Sequence, residues 1–288
     1  MTGGTEMAKN NVKQGKVGGR ATHIPILLLL SLLSVIIIFP YLWMLMTSFK
    51  TNPDIMKNPT SLWPDPWTLS GYVTAVTKAP FLRWLSNSLI VTCSNVILVL
   101  FTSTLIGFVF AKYRFPKKEV FFTIILATMM VPAQVTMIPS FLIINKLGLH
   151  NTLGALIIPG IVVSFGIFMC RQFIEDIPDS LCEAAKIDGA GDFMIYARII
   201  VPNLKSAISS LAIFMFLGVW NDYLTPLIML NDTKRMTLPL ALSFFTSQHL
   251  TDNSATMAVA SLVMVPVLIV FIAFQKQFIK GVALSGIK

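Results

Sequence analysis

Charge is scarce in this chain. Only 12% of its 288 residues are Asp, Glu, Lys or Arg, where soluble domains carry about 25%. Hydrophobic residues make up 55%, and the mean hydropathy is +0.76. A soluble fold of this length could not hide so much apolar surface, so lipid is the expected solvent. The three cysteines (Cys93, Cys170, Cys182) are scattered. That excludes a disulfide framework and a cysteine metal cluster. His23, His150 and His249 are equally dispersed, which gives no support to a zinc site or a catalytic triad. No G-x-x-x-x-G-K-[ST] run occurs, so the chain is not expected to bind ATP itself, and neither a catalytic activity nor a cofactor is expected of it.

The net charge of +9 suggests nucleic acid at first sight. The bases, however, cluster in short segments that flank apolar runs, which is the pattern of a membrane topology signal, so no nucleic-acid partner is expected. Six runs approach the roughly 20 apolar residues that cross a bilayer. They are Pro25–Phe49, Leu85–Phe110, Val120–Ile144, Leu153–Cys170, Ala207–Leu230 and Ala255–Phe274. The first run is too long for a signal-peptide core and lacks a small-residue cleavage site, so it reads as a retained span. The expected fold is all-α, a polytopic membrane protein of six transmembrane helices.

An even number of spans puts both ends on one side. That side holds Lys9, Lys13, Lys16 and Arg20, then Lys112, Arg114, Lys117 and Lys118, then Arg171, Lys186, Arg198 and Lys205, and finally Lys276, Lys280 and Lys288. These are 15 of the 22 bases, which places both termini in the cytoplasm. The chain then divides into a disordered N-tail (1–22), a first span (23–50) and an extracytoplasmic cap (51–84). A core of five further spans follows (85–276), with a cytoplasmic helical unit at 179–201, and then a C-tail (277–288). The cap is dense in Pro and Trp and is expected to be extended, with its aromatics at the interface. The connection 231–256 is long for a loop between spans, and loops of that length are usually functional.

The segment "EAAKIDGAGDFMIYARIIVP", 183–202, interrupts the apolar runs with acids, bases and glycines. Ser180 and Glu183 have the spacing of a capping box. Gly189 or Gly191 can end the first helix, because glycine reaches left-handed backbone angles without steric cost. Asp192 reads as a second N-cap, and Pro202 suits the first turn of the next span. The local physics fits a solvated linker and a docking element for a cytoplasmic partner equally well.

Glu183-Ala184-Ala185, Gly189 after three residues, then Ile199, Val201 and Pro202 after nine more, resemble the E-A-A-x3-G-x9-I-x-L-P signature. That signature marks permease subunits of binding-protein-dependent ABC importers; Val201 stands where Leu is usual. "MVPAQVTMIPSF" (130–141), "WNDYLTPLIML" (220–230) and "FQKQFIKGVALSGIK" at the C-terminus are similar to the carbohydrate-import branch, and within it to the shorter permease of the maltose-type pair. The resemblance implies the type I importer permease fold in a bacterial cell membrane. It also implies a second homologous permease, two ATP-binding cassette subunits and an extracytoplasmic sugar-binding protein as partners. By the same resemblance, Glu183, Ala184, Ala185 and Gly189, with Ile199 and Pro202 closing the motif, would couple the spans to the ATPase, and the loop 231–256 would reach towards the binding protein's sugar cleft.

Polar and kinking residues inside spans face protein or water rather than lipid. Candidates for a cargo pathway are Asn95, Ser103, Thr104, Gln134 between two prolines, and Trp220, Asn221, Asp222 and Tyr223. Interhelical hydrogen bonding and interfacial placement are the competing explanations. Asp222 is the only acid well inside a span. An ATP-independent secondary transporter or channel is the alternative. It would call for an inverted repeat or a set of intramembrane carboxylates, neither of which is visible. A non-transporting membrane scaffold would not require the glycine-turned pair.

Overall fold

The computed structural model describes residues 23–245 and 252–285, of which 276–285 by backbone only. The N-tail, residues 246–251 of the long connection and the last three residues lie outside the described residues. Among the described residues, all regular structure is helical.

Helix α1 (His23–Thr47) is a long apolar helix with Pro40 inside it, exposed along its whole first part and, among the described residues, packed mainly against the last helix. The following connection is not extended. It holds α2 (Asn52–Lys57) and α3 (Ser70–Thr77), because Thr51 caps α2 by accepting from the Asp54 N–H. Lys50 is buried there, and its Nζ donates to the carbonyls of Asn58 (3.3 Å) and Ser61 (2.6 Å). The backbone N–H of Asp65 donates to Asp54 and holds its carboxyl below the usual carboxylate range. Trp63 and Trp67 are exposed, as interfacial aromatics would be.

Helix α4 (Phe81–Lys112) runs 32 residues through the middle of the molecule. It buries Trp84, Ser88, Val91, Asn95, Val99 and Ser103 at intervals of three and four, the stripe of a helix packed on one face. The next three spans are broken. Helices α5 (Lys118–Thr128) and α6 (Ala133–Lys146) meet at 98° across residues 129–132. Pro132 lacks a backbone donor there, and a proline disfavours helical angles at the residue before it. Helix α7 (Gly154–Ile157), prolonged by a 3-10 turn through Pro159, meets α8 (Ser164–Glu175) at 41°.

The segment after α8 holds α9 (Asp179–Ile187) and α10 (Asp192–Ile195), a π-turn at Tyr196–Ile200 and α11 (Val201–Asn203). A bend of 79° then leads into α12 (Lys205–Trp220). The chain closes with α13 (Leu224–Met229), α14 (Leu238–Phe245) and α15 (Asn253–Ser285). Among the described residues, α1, α4 and α15 can each cross a membrane by length and composition, and each bent pair can serve as one more span, giving up to six.

Two cores organise the bundle. At one end Trp84, Trp220, Leu238 and Phe245 pack on Ala255, Val259 and Val263 of α15. At the other, Phe108, Cys170 and Ile174 pack on Cys182, Ile195, Tyr196 and Ile200, which joins α9 and α10 to α4 and α8. Gly107 makes that junction close. A Cβ there would lie 2.9 Å from the Cβ of Cys170 and 3.0 Å from the backbone N of Arg171. Arg171 bridges neighbouring helices by pairing with Glu119 (3.0 Å) and Glu175 (2.7 Å) while lying over the Phe122 ring at 3.9 Å.

Candidate functional site

The polar segment forms a two-helix unit with a glycine turn. The capping box expected at Ser180 and Glu183 does not form. Pro178 is the N-cap residue, α9 starts two residues earlier than that box requires, and no side chain caps it. Asp192 is likewise the first helical residue rather than the cap, which is Gly191. Asp179 serves the helix start through charge instead, as an acid in the first turn. Its carboxylate accepts from Lys112 Nζ at 2.6 Å, and that bond holds its carboxyl below the usual range. The same ammonium donates to the Ile177 carbonyl, so the end of α4 grips the start of α9.

Gly189 has φ +81°, a left-handed angle. The Ala190 N–H donates to the Ala185 carbonyl (2.8 Å) and the Gly189 N–H to the Lys186 carbonyl (3.0 Å), which together make a Schellman turn. Nothing lies within 4 Å of the position a Cβ would take. The requirement for glycine is therefore one of backbone angle, not of space.

The unit has an anchored face and an open one. Cys182, Ile195, Tyr196 and Ile200 are buried in the core, and the Tyr196 hydroxyl bonds the Thr104 hydroxyl of α4 at 2.8 Å. Tyr113, beside them, has its phenol pushed up to about 12, first by burial and then by its bond with Asp192. On the open face Glu183 and Ala184 are exposed and Ala185 is half-buried. Ile187 is 86% exposed and Phe193 69%. Ile199 is half-buried and Pro202 exposed, the latter in α11, three residues before α12 begins.

The pathway candidates do not come together as one set. Asn95 and Asp222 line a cavity of about 330 Å³ with Thr136, Ser140, Thr225 and Thr237. Asn95 is buried and its Nδ2 donates to the carbonyls of Val91 (2.9 Å) and Leu156 (3.2 Å). Asp222 accepts from the Thr225 N–H at 3.1 Å. Trp220 is turned elsewhere. It is 1% exposed, stacks on Phe216 at 5.5 Å and donates to the Val263 carbonyl, so its ring belongs to a core. Gln134 is exposed, Asn221 donates back to its own helix at Leu217, and Tyr223 is exposed. Ser103 is buried beside Gly166, and Thr104 is held by Tyr196. Thr237 was not expected here; nothing in its sequence neighbourhood distinguishes it from an ordinary loop threonine.

Residues 103–284 match the family described as binding-protein-dependent transport system inner membrane component. The chain belongs to that family. It is 32% identical over 259 residues to the arabinooligosaccharides transport system permease protein AraQ of Halalkalibacterium halodurans, covering 89% of this chain and 93% of that one. It is 34% identical over 259 residues to the diacetylchitobiose uptake system permease protein NgcG of Streptomyces coelicolor, covering 88% and 85%. In the crystal structure of a bacterial ABC transporter involved in the import of the acidic polysaccharide alginate, one chain superposes with a TM-score of 0.80 at 23% identity, covering 91% of this chain and 99% of that one. That likeness shows the type I importer permease fold. As a family member, the chain is a multi-pass membrane permease, a transport component.

Proposed function

We propose that this chain is one of two permease subunits of a bacterial ABC sugar importer. It forms half of the translocation pathway for an oligosaccharide or related sugar, and receives motion from a separate ATPase through α9 and α10. The relatives named for arabinooligosaccharide and diacetylchitobiose transport support the cargo class. The observation that carries the coupling role is the open face of the two-helix unit. Ile187 and Phe193 stand 86% and 69% exposed on a unit otherwise studded with Lys186, Asp188 and Asp192. Large apolar side chains among charges on a firmly anchored base suit a protein groove better than water or lipid. Glu183 and Ala184 lie on the same exposed segment, so a carboxylate and a smooth surface are available to that groove.

In this reading α9 and α10 lie in the cytoplasm, as do both termini, and α2 and α3 cap the outer side. The connection after α13 faces a sugar-binding protein. The test is purification of the tagged chain from its own membranes in mild detergent. A second permease and two ATP-binding subunits are expected to copurify, and sugar-loaded binding protein to stimulate ATP hydrolysis. Sugar uptake by this chain alone in proteoliposomes would sink the proposal and favour an ATP-independent carrier.

A further inference from the structure

We infer that this subunit carries its own cargo subsite in the cavity around Asn95 and Asp222, one that accepts a neutral hydroxyl-bearing sugar ring and turns away anionic sugars. The inference rests on the transport reading above and adds to it where the cargo is held and on what chemical basis.

Three backbone breaks converge on this cavity. The break between α5 and α6 ends at Ala133, the break between α7 and α8 spans Gly160 to Val163, and the interruption after α12 contains Asp222. All of these residues line the one cavity. Non-helical backbone at membrane depth persists only where protein buries it or where it lines a water-filled space. Asn95 stands midway along α4, which places the cavity near the middle of the bundle.

Hydrogen-bonding capacity around the cavity is unmet. Thr237 is among the lining residues, and its hydroxyl, enclosed behind the cavity wall, has no partner. A buried hydroxyl left unpaired is costly. Asn95 commits its Nδ2 to two carbonyls, while no described group donates to its Oδ1. One oxygen of Asp222 takes the Thr225 N–H. The free valences are thus largely acceptors, and they call for a ligand rich in O–H donors.

The lining also carries charge of one sign. Asp222 is the sole charged residue among those lining the cavity, and no Lys, Arg or His is among them. A carboxylate without a basic partner repels an anionic cargo in a low-dielectric space. No aromatic ring lines the cavity either, since Trp220 is spent in the core. A sugar would be held here by its hydroxyl edge rather than by its ring face. At about 330 Å³ the space sits at the low end of ligand sites, so it holds part of an oligosaccharide at a time.

The test reads charge directly. In the assembled complex, with the exposed Cys93 replaced by Ser, Asn95→Cys is treated with cationic and anionic methanethiosulfonate reagents of similar size. The cationic reagent is expected to react about tenfold faster, and the preference to collapse when Asp222→Asn is added. Equal rates, or a faster anionic reagent, overturn the inference. So does a thiol that neither reagent reaches at residue 95 and, in a second variant, Ser140→Cys. In transport by the same complex, Asp222→Asn is expected to raise KM for a neutral oligosaccharide severalfold with a smaller change in kcat; an unchanged KM overturns the subsite. The labelling needs no ATP, so its failure is distinguishable from a failure of the ATPase pairing.

Discussion

Substitution at Gly189 separates backbone conformation from side-chain bulk. The residue sits at φ +81° with open space where a Cβ would go, so any penalty comes from the angle alone. A left-handed residue with a Cβ costs roughly 1–2 kcal/mol, less for Asn and more for a β-branched side chain. Each 1.4 kcal/mol is about a tenfold change in an equilibrium, so a valine depopulates the turned unit by one order of magnitude or more if no other contact compensates. The Schellman bonds from Ala190 and Gly189 are lost with the turn, and the orientation of Phe193 relative to Ile187 is lost with them. The expected order of coupled transport is Gly, then Asn, then Ala, then Val. The assay is sugar uptake and binding-protein-stimulated ATP hydrolysis in proteoliposomes, normalised to the amount of subunit in the membrane. Because the site is exposed and far from the spans, membrane yield is expected to stay near that of the parent. Full activity with valine, or a ranking by side-chain volume in place of tolerance for positive φ, would refute the reasoning.

Other substitutions probe packing and charge. Trp220→Ala is expected to cost about 3–5 kcal/mol of stability and Trp220→Phe about 1 kcal/mol, the latter reflecting the bond to the Val263 carbonyl; thermal melts in detergent decide, and a stable Trp220→Ala protein with weakened cargo affinity would return the ring to the pathway. Gly107→Val is expected to lower stability by about 1–3 kcal/mol, because α4 and α8 approach too closely to admit the added atoms without shifting; unchanged melting would contradict that contact. Lys112 holds the folded-state pKa of Asp179 below its ordinary 3.8, so the stability that Asp179 contributes over Asn is complete above that value and lost only as pH falls through the lower folded one. Parallel melts of the parent and Asp179→Asn should keep a constant gap down to about pH 5; a gap already closing there would contradict the sign.

The spans and the glycine turn were legible in the sequence because both depend on local features. Runs of about twenty apolar residues declare themselves, and glycine reaches the angle at Gly189 without the cost that a Cβ brings. The start of α9 was not legible, since Ser180 and Glu183 matched a capping box while Pro178 and the distant Lys112 decided where the helix begins. The connection after α1 reads as extended in the sequence, because its short helices depend on contacts with α15, such as Gly71 against Ser254 across the length of the chain. The cargo candidates were half legible. A carboxylate inside a span, Asp222, points to a cavity or a partner on energetic grounds alone. Whether Trp220 faces that cavity or Val263 depends on the rotation of α12, which its nearly uniform hydrophobicity leaves unspecified. Thr237 acquires significance only from being buried without a partner, a property no sequence pattern carries.

The most direct measurement is disulfide or bifunctional cross-linking from Ile187→Cys in the native complex. A cross-link to the ATP-binding subunit is expected, with yield that changes on addition of ATP, and with no labelling by impermeant reagents outside intact cells. Reaction of that thiol from the exterior, or a fully active complex in which it meets no ATPase, would contradict the coupling role of α9 and α10.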